Sequence, residues 1–312
     1  MDPLSDMLGG IRAEGASVSQ GVLEPPWAIR FTDGAPLTMV TVISGGGVVI
    51  PADGTELGIG SGDTALVRGP APFHLADSAA SLDRPHRVHE ISCLDLNLDL
   101  DRARGMGAGT DIAPEAEGAT TLIVGGYRAG RGRHERLLRT LPPALVLHEE
   151  ADDVLWLDSA RDALARRHRP GGQALIDRVL DAGLVCTLGC WFEQEGAEAP
   201  NWYLGAMDPV TGPALEAIHR RPHAQWSVAS LAAQAKVSRA HFAKRFTDVM
   251  GRPPLSYLTD WRMHIAEELL SDPDRSVAGV ARAVGYTDPF AFGTAFKRLR
   301  GMTPREFRRQ SA

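Results

Sequence analysis

Cysteine is scarce in this chain, with three residues in 312, too few for a disulfide scaffold. Aromatic residues make up only 6%. No long hydrophobic run is present. The longest apolar stretch, Leu37 to Pro51, is broken by Thr38, Thr41, Ser44 and three glycines, and falls short of the roughly 20 apolar residues that span a bilayer. The first ten residues carry Asp2 and Asp6 and lack a basic segment followed by an apolar one, so no export signal is expected there. These absences point away from a secreted or membrane protein and toward a reducing cytoplasm as the expected compartment.

What is present is globular in character: 44% apolar and 23% charged residues, in a length that suits about two domains. The net charge of −6 taken alone argues against a polyanionic partner. Its distribution reverses that argument. From Ala214 to the end there are 16 Lys and Arg against 9 acids, a net of +7, which leaves −13 on the first 213 residues. A basic module joined to an acidic one is the pattern of a chain in which one part meets nucleic acid.

The first 110 residues are rich in Gly, Pro and β-branched residues. Short runs such as Trp27–Phe31, Leu37–Ile43, Val48–Ile50 and Thr64–Val67 predict a small antiparallel sandwich or barrel, with His89–Leu100 as a closing strand. A further strand is expected at Thr121–Tyr127. Two amphipathic helices then follow, carried by Val154, Leu157, Ala160 and Leu164 and by Ala174, Val179, Leu180 and Leu184. These helices suit dimer contacts or packing on their own barrel equally well. The expected division is 1–205, with the barrel at about 1–130 and helices at about 131–205, and 206–312.

The last hundred residues contain a repeat. Leu231 to Phe246 reads as a helix, a tight turn, a helix-capping Ser238 and a second helix anchored by Phe242 and Phe246. About fifty residues later Val280 to Arg298 repeats it, with Asp288 as the cap, Pro289 at the first helical position, and Phe292 and Phe296 as anchors. A helical stretch from Pro254 to Leu270 joins the two, with Trp261, Ile265, Leu269 and Leu270 on its apolar side. Two helix-turn-helix units in tandem are far more specific than one. Lys236 stands in the first turn where glycine is usual, so a positive φ there implies strain of order 1 kcal/mol.

The run Gly285-Tyr286-x-Asp288-x3-Phe292-x3-Phe296-Lys297-x3-Gly301-x2-Pro304-x2-Phe307-Arg308 resembles the signature of the AraC/XylS family of bacterial transcription regulators. Trp27, Gly62-Asp63 with His74, Leu141-Pro142-Pro143 and the stretch Trp202 to His219 resemble the subgroup with a cupin barrel as N-terminal sensory domain. The resemblance implies an α+β chain of two domains: a cupin-like barrel with a helical dimerisation and linker segment, then an all-α domain with two helix-turn-helix motifs. It implies a non-enzymatic cytoplasmic regulator, activator or repressor, with double-stranded promoter DNA, a small-molecule effector, RNA polymerase and a second copy of the chain as partners.

With Phe242 and Phe246 turned inward at 100° per residue, Lys244 points straight out between Ala240 and Thr247. It is the base-reading candidate of the first helix, facing guanine O6 and N7. Arg239, His241 and Arg245 suit phosphates. In the second helix the outward residue is Thr294, where the family often has Arg. Phe290 suits a thymine methyl, and Lys297 and Arg298 suit the backbone. Arg305, Arg308 and Arg309 fit a solvated helix face or phosphate contacts. The phenylalanines, Trp261 and Tyr286 are expected in the core.

Metal-dependent cupins need His-x-His followed by a carboxylate and a further His. Here His74 stands alone, and the nearest group is His86-x2-His89-Glu90. A cupin enzyme with an accessory DNA-binding domain is therefore the weakest reading, and the expectation is a ligand pocket with no metal and no cofactor. Cys186 and Cys190, four apart on one helix face, leave two readings. They are either small buried hydrophobes or a thiol switch in a regulator of the same architecture, although a disulfide within a regular helix requires unwinding.

Overall fold

In the computed structural model the described residues are 2–9, 11, 21–32, 34–83, 88–91, 119–127, 133–148, 156–166 and 169–311. They form two compact units. One consists of Met1–Gly10, Gly130–Leu137 and Phe192–Ala312, the other of Ile11–Ala129 and Leu138–Trp191. In this division residues 192–205 fall with the C-terminal helices.

The β unit contains β1 (Gly21–Leu23), β2 (Ala28–Phe31), β3 (Leu37–Ser44), β4 (Gly46–Ile50), β5 (Leu57–Gly60), β6 (Thr64–Arg68), β7 (Phe73–Ala76), β8 (Val88–Ile91), β9 (Thr120–Tyr127) and β10 (Ala144–Leu147). They pair as two five-stranded sheets of order β1-β9-β3-β6-β10 and β5-β4-β7-β2-β8. All pairings are antiparallel except that of β2 with β8. Alternate residues of facing strands, including Ile29, Phe31, Val40, Val42, Val49, Val67, Phe73, Leu75, Leu122 and Val124, fill the space between the sheets. The described part of the predicted closing strand is β8, and residues 92–100 lie outside the described residues.

Strand β3 is buried on both faces along Leu37–Val42, because a helix covers the outer face of its sheet. The chain runs through α2 (Arg133–Thr140) and α3 (Leu157–Ala165) to α4 (Gly172–Glu195). Ile176, Leu180, Leu184 and Leu188 recur every four residues along one buried stripe of α4. Tyr127 Oη donates to the Leu180 carbonyl at 2.7 Å, and a Cβ on Gly125 would lie 3.2 Å from Leu180 Cδ1. Gly183 admits the Trp156 indole, which a Cβ would meet at 2.8 Å. The opposite side of α4 leaves Leu175 and Val185 exposed, with Val179, Cys186 and Gly189 partly so.

The helical unit contains α1 (Pro3–Leu8), the first half of α2, and α5 (Asn201–Met207), α6 (Gly212–Arg220), α7 (Val228–Gln234), α8 (Arg239–Met250), α9 (Pro254–Leu270), α10 (Val277–Ala283), α11 (Pro289–Arg300) and α12 (Pro304–Ser311). Helix α9 is the spine. Its first half buries Tyr257, Leu258 and Trp261 with the first helix-turn-helix. Its second half buries Met263, Ala266 and Leu270 against Val280, Val284, Phe292 and Phe296 of the second. Ile265 and Leu269, expected in the apolar stripe, are only partly buried. Helix α1 is tied in by a buried chain. Asp6 Oδ2 lies 2.7 Å from His219 Nδ1, and His219 Nε2 lies 2.9 Å from the Tyr257 hydroxyl. Burial holds the His219 pKa below the usual histidine value.

Candidate nucleic-acid interface

The two helix-turn-helix units are built from the same local chemistry. Before α7, Ser227 and Ser230 form a reciprocal capping box. After it, Lys236 N and Val237 N donate to the carbonyls of Ala233 and Ala232, the paired bonds of a Schellman turn. After α10, Gly285 N and Tyr286 N donate to Arg282 and Ala281 in the same way. The residue at the left-handed position is Gly285 in the second turn (φ 87°) and Lys236 in the first (φ 56°). Glycine is required at the second, since a Cβ there would lie 2.5 Å from the His223 carbonyl oxygen. Lys236 is exposed, so its turn has room for a side chain and carries only the backbone strain, about 1 kcal/mol.

The recognition helices start at side-chain caps. Ser238 Oγ accepts from His241 N at 3.2 Å. The Asp288 carboxylate accepts from Phe290 N at 2.9 Å and Ala291 N at 3.2 Å. Each helix then buries two phenylalanines one turn apart. The ring centroids of Phe242 and Phe246 are 5.5 Å apart at 55°, and those of Phe292 and Phe296 5.7 Å apart at 54°. Each helix ends at a left-handed glycine, Gly251 and Gly301.

Because the phenylalanines fix the inward face, the outward face follows. On α8, Arg239, Ala240, His241, Lys244 and Thr247 are exposed. Lys244 is 82% exposed and has one partner, Asp248, at 3.5 Å, an i,i+4 surface pair worth a few tenths of a kcal/mol. On α11, Phe290 is 86% exposed, and Thr294, Lys297 and Arg298 are exposed beside it. Thr294 Oγ1 donates back to the Phe290 carbonyl at 3.0 Å, which commits its only hydroxyl proton within the helix.

Several cations that the sequence offers to a polyanion also have carboxylate or carbonyl partners within the fold. Arg245, read from the sequence as a phosphate contact, donates from Nε (2.8 Å) and Nη2 (2.5 Å) to Asp208 Oδ2. Asp208 also accepts from Val210 N and Thr211 N. Though its burial pushes the other way, these bonds hold the Asp208 pKa below the ordinary carboxylate value. Arg308 donates to the carbonyls of Leu270 and Arg275, whereas Arg305 and Arg309 are exposed. The Arg245–Asp208 pair had no sequence signal, since the partners are 37 residues apart.

In the β unit, His74 lies on β7 beside Arg30, and burial first, then the Arg30 charge, lowers its pKa. His89 lies on β8, and His86 is outside the described residues. Among the described residues no group of three His, Cys, Asp or Glu side chains gathers as a metal site. Cys186 and Cys190 are thiols one turn apart on α4, both half-buried. A shallow recess beside the stacked rings of Phe31 and Phe73 (centroids 4.6 Å apart) is lined also by Gly34, Ala35, Thr38 and Val67. Among the described residues, no helix is long and apolar enough to cross a membrane.

Known proteins share this organisation. Residues 2–193 match the cupin family model, and residues 231–310 match a helix-turn-helix domain. An AraC-like transcription regulator of Streptomyces lividans is 32% identical over 321 residues, covering 99% of this chain and 98% of its own. The HTH-type transcriptional regulator AlkR of Acinetobacter baylyi is 26% identical, covering 100% of both chains. A solved DNA-binding domain of the transcriptional factor AdpA, in complex with a target DNA, is 35% identical over 31% of this chain and 91% of that one, with a TM-score of 0.30. The chain thus belongs to the AraC-like DNA-binding transcription regulators, with a cupin domain at its N-terminal side and a tandem helix-turn-helix domain at its C-terminal side.

Proposed function

We propose that α8 and α11 lie in two successive major-groove segments on one face of promoter DNA, with Lys244 reading guanine and Phe290 meeting a thymine methyl. Arg239, His241, Lys297 and Arg298 hold phosphates beside them, Ala240 and Thr294 line the base edges, and Ser238 and Asp288 set the start of each helix. Arg245 acts through Asp208, by fixing α8 in place, rather than on a phosphate. The observation that carries this reading is the outward row of α8, where Lys244 is exposed and bound only by a weak surface pair.

The N-terminal unit, 1–205 in this reading, receives a small-molecule effector and governs promoter binding, with RNA polymerase as the downstream partner in the cytoplasm. A second copy of the chain covers the apolar side of α4 that carries Leu175 and Val185, 43% and 47% exposed. A charge at its centre, Val185→Glu, is expected to give a monomer in sedimentation equilibrium while thermal stability holds. An unchanged dimer would remove α4 as the interface.

The test of base reading is Lys244→Ala, titrated against the chain's selected operator and against random DNA of equal length. Operator affinity is expected to fall about 5-fold more than random affinity, near the lower end of what one good base contact contributes. Equal losses on both would make Lys244 a phosphate contact only.

A further inference from the structure

The two helix-turn-helix lobes are joined through the spine α9, whose two halves bury different sets of residues. At the middle of that helix, Asp260 is 18% exposed and holds the far ends of both recognition helices. Arg252, just after the glycine that ends α8, donates from Nη1 to Asp260 Oδ2 at 2.9 Å. Arg300, the last residue of α11, donates from Nη1 to Oδ1 at 3.1 Å. Arg300 also reaches Glu267 and His264. Arg136 Nη1 stands 3.6 Å from Oδ2, and His264 Nδ1 stands 3.7 Å from Oδ1.

The near ends are tied by the next turn of α9. Arg262 Nε and Nη2 donate to the carbonyls of Pro222 and Ala224, both at 2.8 Å, in the segment leading into α7. Its guanidinium lies 5.7 Å from the Tyr286 ring centroid in the turn before α11. Gln225 Nε2 donates to the Gly285 carbonyl at 3.0 Å.

We propose that Asp260 is a positioning residue that fixes the separation of α8 and α11, and so dictates the spacing between the two boxes of bases the chain accepts, with Arg262 holding the opposite ends. The proposal rests on the reading that both helices contact DNA. One extra base pair moves a box by roughly 3.4 Å along the duplex and turns it about a tenth of a helical turn. Lobes locked by one shared carboxylate cannot follow that change without breaking charge-assisted bonds, which are stronger than neutral ones.

The test is selection from a randomised duplex library with the full chain, followed by titration of the selected site with and without one base pair inserted between its boxes. The wild type is expected to select two boxes at one spacing and to lose at least 10-fold in affinity on insertion. Asp260→Asn, which keeps the volume and removes the charge, is expected to select the same boxes over several adjacent spacings and to lose less than 3-fold. Asp260→Asn with the wild-type spacing and insertion penalty would overturn the proposal. If Asp260→Asn does not fold, as judged by circular dichroism, Arg252→Gln takes its place. Its arginine is 39% exposed and releases only α8, so an unchanged insertion penalty in that folded variant would equally overturn it. A wild type that selects a single box would overturn the tandem reading itself, a result distinct from failure of the Asp260 assignment.

Discussion

His264 lies on α9 with its ring 16% exposed and Nδ1 3.0 Å from Arg300 Nη2. Burial first, then the Arg300 charge, brings its pKa to about 4, against the attraction of Asp260. An unfolded histidine takes up its proton near 6.5, so between about 6.5 and 4 the unfolded chain binds a proton that the folded one refuses. The stability associated with His264 is thus fully present above pH 6.5 and is lost as pH falls toward 4, by at most about 3 kcal/mol. His219, also lowered, acts in the same direction. Glu267, raised by burial, opposes it as its own carboxyl takes up a proton. In urea titrations from pH 7.5 to 5, the wild type is expected to lose stability more steeply than His264→Gln. Equal slopes would show that His264 does not carry the effect. Nothing in the local sequence marked His264, because its burial comes from packing across the fold and the Arg300 charge beside it is 36 residues away. Lys236 was legible for the opposite reason: the turn pattern alone demands a left-handed residue there, and φ is 56°.

At the scale of elements, the recognition helices were readable in detail because caps and anchors are local. Ser238, Asp288 and the paired phenylalanines fix start, phase and outward face within twelve residues. Helix α4 was readable only in part. The expected helix carries Cys186 and Cys190, and α4 continues beyond them to Glu195 and ends where Gly196 takes a positive φ. Its buried stripe packs on the barrel, one of the two uses open to it on sequence grounds, and its other side is exposed. The outward surface of α11 differs in kind from that of α8. Phe290 and the Thr294 methyl are apolar, and the Thr294 hydroxyl proton is already committed. Phe290→Ala is expected to weaken binding to the selected operator about 5-fold. Replacing the contacted thymine with uracil, which lacks the methyl, is expected to reproduce that loss in the wild type and to add nothing in Phe290→Ala. Independent, additive losses would separate Phe290 from the methyl group.

Over the whole molecule, the division of charge into −13 and +7 located the DNA-binding end correctly but does not show how many of its arginines also have partners within the fold. Arg245, Arg252, Arg262, Arg300 and Arg308 are held by carboxylates or backbone carbonyls. That use of arginine was invisible in the sequence, since ion pairs across 30 to 40 residues leave no periodic trace. The same limit hid the docking of α1 through Asp6 and His219, and the packing of residues 133–137 with the helices rather than with the barrel strands on either side of them. The proposed function turns on the two outward helices acting together. Methylation-protection footprinting of the selected operator by the full chain tests it most directly, because it reads guanine N7 in the major groove base by base. The account predicts two protected patches per chain on one face of the duplex, about one helical turn apart, with Lys244→Ala losing protection in one patch only. A single protected patch, or protection unchanged by Lys244→Ala, would contradict it.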